Sequence, residues 1–156
     1  LTQWKREMLS LPTRDHLADT AKIQIEHDIA NPAYTDSYIN LVTETTMHGL
    51  FVTEKTWKPI AIGQLFLIIG CKNTVEYLKD FGVDTFDDII DHKYYDNEPD
   101  WQERIRKAHQ IIDDLVNQDL FHINQITKNR RQTNAENFFN QDSNLIYKSW
   151  IEKYIH

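Results

Sequence analysis

Apolar and polar positions change rhythm near residue 100 of this chain: short apolar runs alternate with helical spacings before it, and helical spacings stand alone after it. Tyr38-Ile39-Asn40-Leu41-Val42-Thr43-Glu44 is rich in β-branched and aromatic residues and predicts a strand. Leu65-Phe66-Leu67-Ile68-Ile69 is apolar on both faces, as a buried parallel strand is, and Gly70 closes it. Between them lies a polar loop, Thr45 to Leu50, containing Gly49. A helix then runs from Glu54 to Ile62, with Thr53 as N-cap and Gly63 just past its end. Pro59 removes one backbone donor and predicts a kink, or a restart near Lys58.

Asn73 and Glu76 have capping-box spacing and open a helix that ends at Phe81, before Gly82. Asp84-Thr85-Phe86 starts a short helical turn through Ile90, and Asp91 to Pro99 reads as polar loop with Tyr94 and Tyr95. Asp100 and Glu103 form a second box. It opens the clearest helix, with Trp101, Ile105, Ala108, Ile112 and Leu115 on one stripe. Residues 2–9 read as a short helix, Lys22 to Glu26 as a strand, helix or loop, and Tyr147, Ile151 and Tyr154 as a C-terminal stripe. Strand, helix, strand, helix predicts an α/β fold, a Rossmann-like parallel sheet with flanking helices and a helical C-terminal third. The expected division is a domain over residues 1–120, with residues 121–156 as its helical extension.

Composition narrows the function. The 156 residues include 17 Lys+Arg and 24 Asp+Glu, a net charge of −7, which argues against a broad nucleic-acid footprint. Hydrophobic residues make up 40% and aromatics 12%, enough for a core. No apolar run approaches the length of a membrane span and no signal peptide is visible, so a cytoplasmic location is expected. The chain begins at Leu1, which leaves room for an upstream portion. The lone cysteine, Cys71, forbids an internal disulfide and has no evident partner base. The seven histidines show no paired ligand spacing, so no metal or other cofactor is expected. Lys128, Arg130 and Arg131 read as a basic helix surface, and most of the aspartates after Phe86 as caps and solvated faces.

In parallel α/β sheets, ligands bind beyond the carboxyl ends of the strands. That directs attention to the loops Glu44 to Lys55 and Gly70 to Asn73. A helix starting after Thr53 offers free amides and a positive pole to an anion, and Lys55 adds a full charge. A diphosphate suits that arrangement, while a solvated helix lysine is the plainer reading. Glu44 and Glu54 are acceptors for sugar or ribose hydroxyls, although Glu54 also reads as a first-turn acid complementing the helix pole. Tyr94 and Tyr95 are candidates for stacking on a base or sugar, or for ordinary packing. His48 reads as a loop histidine.

The ordered set Tyr38 to Thr45, then Phe51-Val52-Thr53-Glu54-Lys55, an apolar helix and a strand ending in Gly70 resembles the donor-binding half of the α-1,3-fucosyltransferase family. It is also similar to bacterial and phage glycosyltransferase-like proteins. Gly82-Val83-Asp84-Thr85-Phe86, the acidic Asp91–Asp96 segment and Arg104-Ile105 after Trp101 extend the likeness over roughly residues 38–115. The resemblance implies a GT-B fold, two Rossmann-like domains with the nucleotide sugar held in the C-terminal one. Carried over, Glu54 holds sugar or ribose hydroxyls and Lys55 the donor diphosphate, with Glu44, Thr53 and Gly70 completing the donor site. Phe51 stands where the family has a tyrosine, and Thr45 where it has an asparagine. The family's catalytic base lies in an N-terminal acceptor domain for which this chain is too short. Arg6 and Arg14 match its upstream donor-binding arginine only by charge.

The leading expectation is therefore a hexosyltransferase-type glycosyltransferase donor domain, with its acceptor domain missing or supplied upstream. It takes a nucleotide-diphosphate sugar as donor substrate and an acceptor of unknown type, and the expectation does not extend to activity of the domain in isolation. The alternatives are a non-catalytic Rossmann-like assembly module, with Trp150, Ile151 and Tyr154 as an interface stripe, and a metal-dependent nuclease built on Glu44, Glu54 and Lys55.

Overall fold

The computed structural model describes residues 36–140, and residues 38–138 form one compact unit. The helix expected at residues 2–9, the Lys22–Glu26 segment, Arg6, Arg14 and the Tyr147–Tyr154 stripe lie outside the described residues. Within them the architecture is mixed α/β: β1 (Ile39–Thr43), α1 (Glu54–Ala61), β2 (Leu65–Ile69), α2 (Thr74–Lys79), α3 (His92–Asp96), α4 (Trp101–Val116), α5 (Leu120–Ile126) and α6 (Lys128–Asn140). β1 and β2 pair in parallel, with Ile39 opposite Leu65 and Thr43 opposite Ile69.

β2 is buried along its whole length and is the centre of the core, as its two-faced apolar run predicts. Ile60, Val75, Leu78, Phe86, Ile90, Tyr95 and Ala108 close around it. The Glu44 N–H donates to the Ile69 carbonyl at 2.9 Å. Because strand residues alternate in direction, the Ile68 and Gly70 carbonyls face away from β1. They accept from the Tyr95 hydroxyl at 2.9 Å and from Arg104 Nε at 3.0 Å. Two side chains thus take up the outward carbonyls at this edge of β2.

Thr53 caps α1 as expected, its hydroxyl accepting from the Lys55 N–H. The helix continues through Pro59 as one element. The carbonyl that Pro59 cannot reach is that of Lys55, an exposed residue open to water. Gly63 follows with φ 63°, a value glycine adopts freely.

Four local expectations are corrected. Asn73 sits in the left-handed region and makes no side-chain cap; α2 is capped by Asp96, which accepts from the Val75 and Glu76 amides at 3.1 Å each. Glu76, the box partner, pairs with Lys79 instead, and α2 ends at Lys79 rather than Phe81. The polar loop expected over Asp91–Pro99 contains α3, which is capped by Asp91 and buries Tyr95 completely. Arg131 is interior, not helix surface: it donates to the Gly63 carbonyl at 2.6 Å and the Asn124 carbonyl at 2.8 Å.

Candidate functional site

The loop after β1 and the start of α1 are organised around Glu44. Its side chain is 4% exposed, and its carboxylate accepts from the Thr53 N–H at 3.0 Å, the Thr53 hydroxyl at 2.7 Å and the Thr56 hydroxyl at 2.5 Å. Thr53 relays this contact into the helix by accepting from the Lys55 amide. The protein's own carboxylate therefore lies at the helix end that would otherwise draw an external anion. This changes the reading of Glu44. Its oxygens position Thr53 and Thr56 and do not face outward to a sugar, and Thr53 acts as the cap between Glu44 and α1.

Lys55 and Glu54 are exposed on the first turn of α1. The Lys55 ammonium donates to the Thr45 hydroxyl at 3.1 Å, so it turns back over the β1 loop. Lysine keeps two further N–H donors for a ligand in this pose. His48 and Gly49 are exposed at the same loop, and His48 donates its amide to the Thr46 hydroxyl.

At the β2 end, Gly70 is required by packing. A Cβ there would lie 2.7 Å from Thr74 Oγ1. Its carbonyl is held by Arg104, so the backbone of Gly70 serves the fold directly. Cys71 is buried, with its sulfur beside Thr74 Oγ1 at 3.4 Å, which suits a packed thiol and not an exposed nucleophile.

Arg104 is the residue that the helical stripe does not announce. It is 1% exposed, while Trp101, which the stripe places inward, is 40% exposed. Its guanidinium donates to the carbonyls of Gly70, Glu98 and Met47, the last at 3.2 Å. One side chain from α4 thereby joins the loop after β1 to the loop after β2. Asp96 lies within its field. Burial pushes the Asp96 carboxyl up, and the Val75 and Glu76 amides and the Arg104 charge pull the other way.

His92 and Tyr95 are a second interior pair, in which Tyr95 takes the packing role that is one of its two readings. His92 Nε2 is 2.9 Å from the Thr85 carbonyl, which can only accept, so that nitrogen carries the proton. Nδ1 is then an acceptor 2.7 Å from the Tyr95 hydroxyl, whose single proton is shared between it and the Ile68 carbonyl at 2.9 Å. Burial holds the imidazole neutral, lowering its pKa to about 4. Burial likewise raises the Tyr95 phenol well above its usual range. Tyr95 is thus a core residue. Tyr94 is exposed and donates to Gln110, beside a surface depression of about 350 Å³ that it lines with Gln110, Asp113 and Asp114.

Among the described residues, no three His, Cys, Asp or Glu side chains converge as a metal site would require. No helix among them is long and apolar enough to cross a membrane. No protein-family model, curated protein or solved structure matches the chain.

Proposed function

We propose that this chain carries the donor-binding domain of a glycosyltransferase of the two-Rossmann-domain kind and takes a nucleotide-diphosphate sugar. The reading rests on the parallel β1–α1–β2 unit and on what its carboxyl edge presents. The observation that carries it is the exposed Lys55 ammonium, turned over the β1 loop onto Thr45 with Glu54 beside it on the same helical turn. Lys55 would meet the diphosphate, and Glu54 would accept from sugar or ribose hydroxyls. Because Glu44 already lies at the end of α1, the positive charge offered to the diphosphate would come chiefly from the lysine side chain. In the reaction the bond between sugar and diphosphate breaks and a bond to an acceptor oxygen forms. Lys55 would stabilise the departing negative charge, and the base that removes the acceptor proton would come from a separate acceptor domain.

A panel of nucleoside diphosphates and nucleotide sugars, screened by thermal shift on the whole chain, tests the class. A ligand present at 100 times its Kd would stabilise the fold by about 2.7 kcal/mol. The expected outcome is a rise in Tm with at least one of them.

The alternative is a non-catalytic assembly module, and one observation favours it: the helix end is filled by Glu44 while the apolar side chains of Leu41 and Phe121 are more than half exposed. No thermal shift at millimolar concentration across the panel selects this reading.

A further inference from the structure

A buried guanidinium needs a reason. Removing Arg104 from water is costly unless the interior takes up its donors. The interior partners of Arg104 are neutral main-chain carbonyls, and they come from three separate segments. Met47 is 57 residues away in the chain and Gly70 is 34 away. Met47 belongs to the loop that carries Thr45 and leads to Lys55. Gly70 opens the loop after β2, where the Asn73 amide is in turn held by the Asp96 carbonyl at 2.9 Å. Among the described residues, Arg104 is therefore the side chain that hydrogen-bonds to both loops at the carboxyl edge of the sheet. It does so through a rigid planar fork, whose donors fix directions as well as distances.

We infer that Arg104 is a positioning residue that sets the two edge loops in one geometry, so that they open and close as a unit with the first turn of α4. It touches no ligand. Its effect on ligand affinity passes through the Met47 and Gly70 backbones, and that part of the inference rests on the donor-site reading above. Lysine at this position keeps the charge and loses the fork, which separates charge from geometry.

The test compares Arg104→Lys with the unaltered chain by amide hydrogen exchange, read at Met47–Gly49, at Cys71–Asn73 and at the distant Asp84 turn, together with titration by the nucleoside diphosphate that the unaltered chain binds. The expected result is an increase of about tenfold or more in exchange at both loops, with the Asp84 turn unchanged, and an affinity loss of similar size. Exchange that rises everywhere equally, or at neither loop, overturns the inference. If the variant does not fold, exchange of the unaltered chain at increasing sub-denaturing urea decides. The two loops and the Trp101–Arg104 turn then open with one common urea dependence if Arg104 joins them, and with separate ones if it does not. If the unaltered chain binds no nucleoside diphosphate, the donor-site reading fails, while the exchange result still judges Arg104.

Discussion

Two arginines hold two turns of this molecule, and they do so by opposite means. Arg104 is buried and grips neutral carbonyls of three segments. Arg130 is half-exposed and pairs with Asp84 at 2.5 Å and Asp88 at 2.8 Å, its guanidinium carbon 5.0 Å from the Phe86 ring centroid. The turn that Arg130 braces is itself over-determined. Phe86 is held at φ 61°, a strained value for an aromatic residue, while Asp84 accepts from the Phe86 amide and the Asn134 side chain bonds both backbone groups of Asp84. The contrast shows that the count of charged contacts is a poor guide to which arginine matters. The solvated one has two carboxylates and other bonds to share the work. The buried one alone donates to three carbonyls of separate segments, with no carboxylate among these partners.

The largest expected effect follows from removing the buried fork. Arg104→Met fills much of the volume but leaves carbonyls of Met47, Gly70 and Glu98 without their donor, at about 1–3 kcal/mol for each one that stays dry. A loss of about 3 kcal/mol or more should appear in urea unfolding, and a loss below about 1 kcal/mol would erase the distinction between the two arginines.

Next comes another interior polar group, His92. Its pKa is about 4 in the folded chain, and about 6.5 is usual for a free histidine. The unfolded chain takes up the proton first as pH falls, so folding stability drops between about pH 6.5 and pH 4 and levels off below that. The drop attributable to His92 is about 3 kcal/mol across that window. In His92→Gln, stability between pH 7 and 4 should fall less steeply than in the unaltered chain by this amount. Parallel pH curves would show that the imidazole does not titrate this way. Asp96, raised by burial, contributes with the opposite sign and is present in both proteins, so the difference isolates His92.

The smallest stability effect is expected at the surface. The hydrogen bonds and charge of Arg130 hold Asp84 and Asp88 below the usual carboxylate range. Their contribution is present above about pH 4 and is lost as pH falls through the lowered values. The side chains are partly or largely exposed, so Arg130→Ala should cost about 1 kcal/mol or less at neutral pH, and less still in high salt. A cost matching that of Arg104→Met would break the comparison.

The strands and the Thr53 cap were legible because their signals are local: two-faced hydrophobicity in Leu65–Ile69, and a hydroxyl residue before a helical run. Glu44, Asp96 and Arg104 were not, for a shared reason. Each satisfies groups far along the chain, and nothing near them in sequence names those partners. Glu44 reads as a strand-end acid free for a ligand until Thr53 and Thr56 fold onto it. Asp96 reads as one more acid in an acidic segment until α2 sets its amides against it. Arg104 sits one residue before Ile105, and a period that counts only apolar residues steps over it. The spacing Arg104–Ala108–Leu115 carries the inward face correctly once a long cationic stem is allowed as a core element. The stripe built on Trp101 fails at its first residue, which opens the helix and is 40% exposed.

Lys55 separates the rim that could meet a ligand from the interior that holds the loops. Its contact with Thr45 is exposed, so Lys55→Ala should leave the fold intact. The most direct measurement is calorimetric titration of the unaltered chain and of Lys55→Ala with the same nucleoside diphosphate. The account predicts binding by the first and an affinity weaker by about tenfold or more in the second, the scale of one charge-assisted contact of about 1.5–3 kcal/mol. Equal affinities, or no binding by the unaltered chain, would contradict a donor site at the junction of β1 and α1.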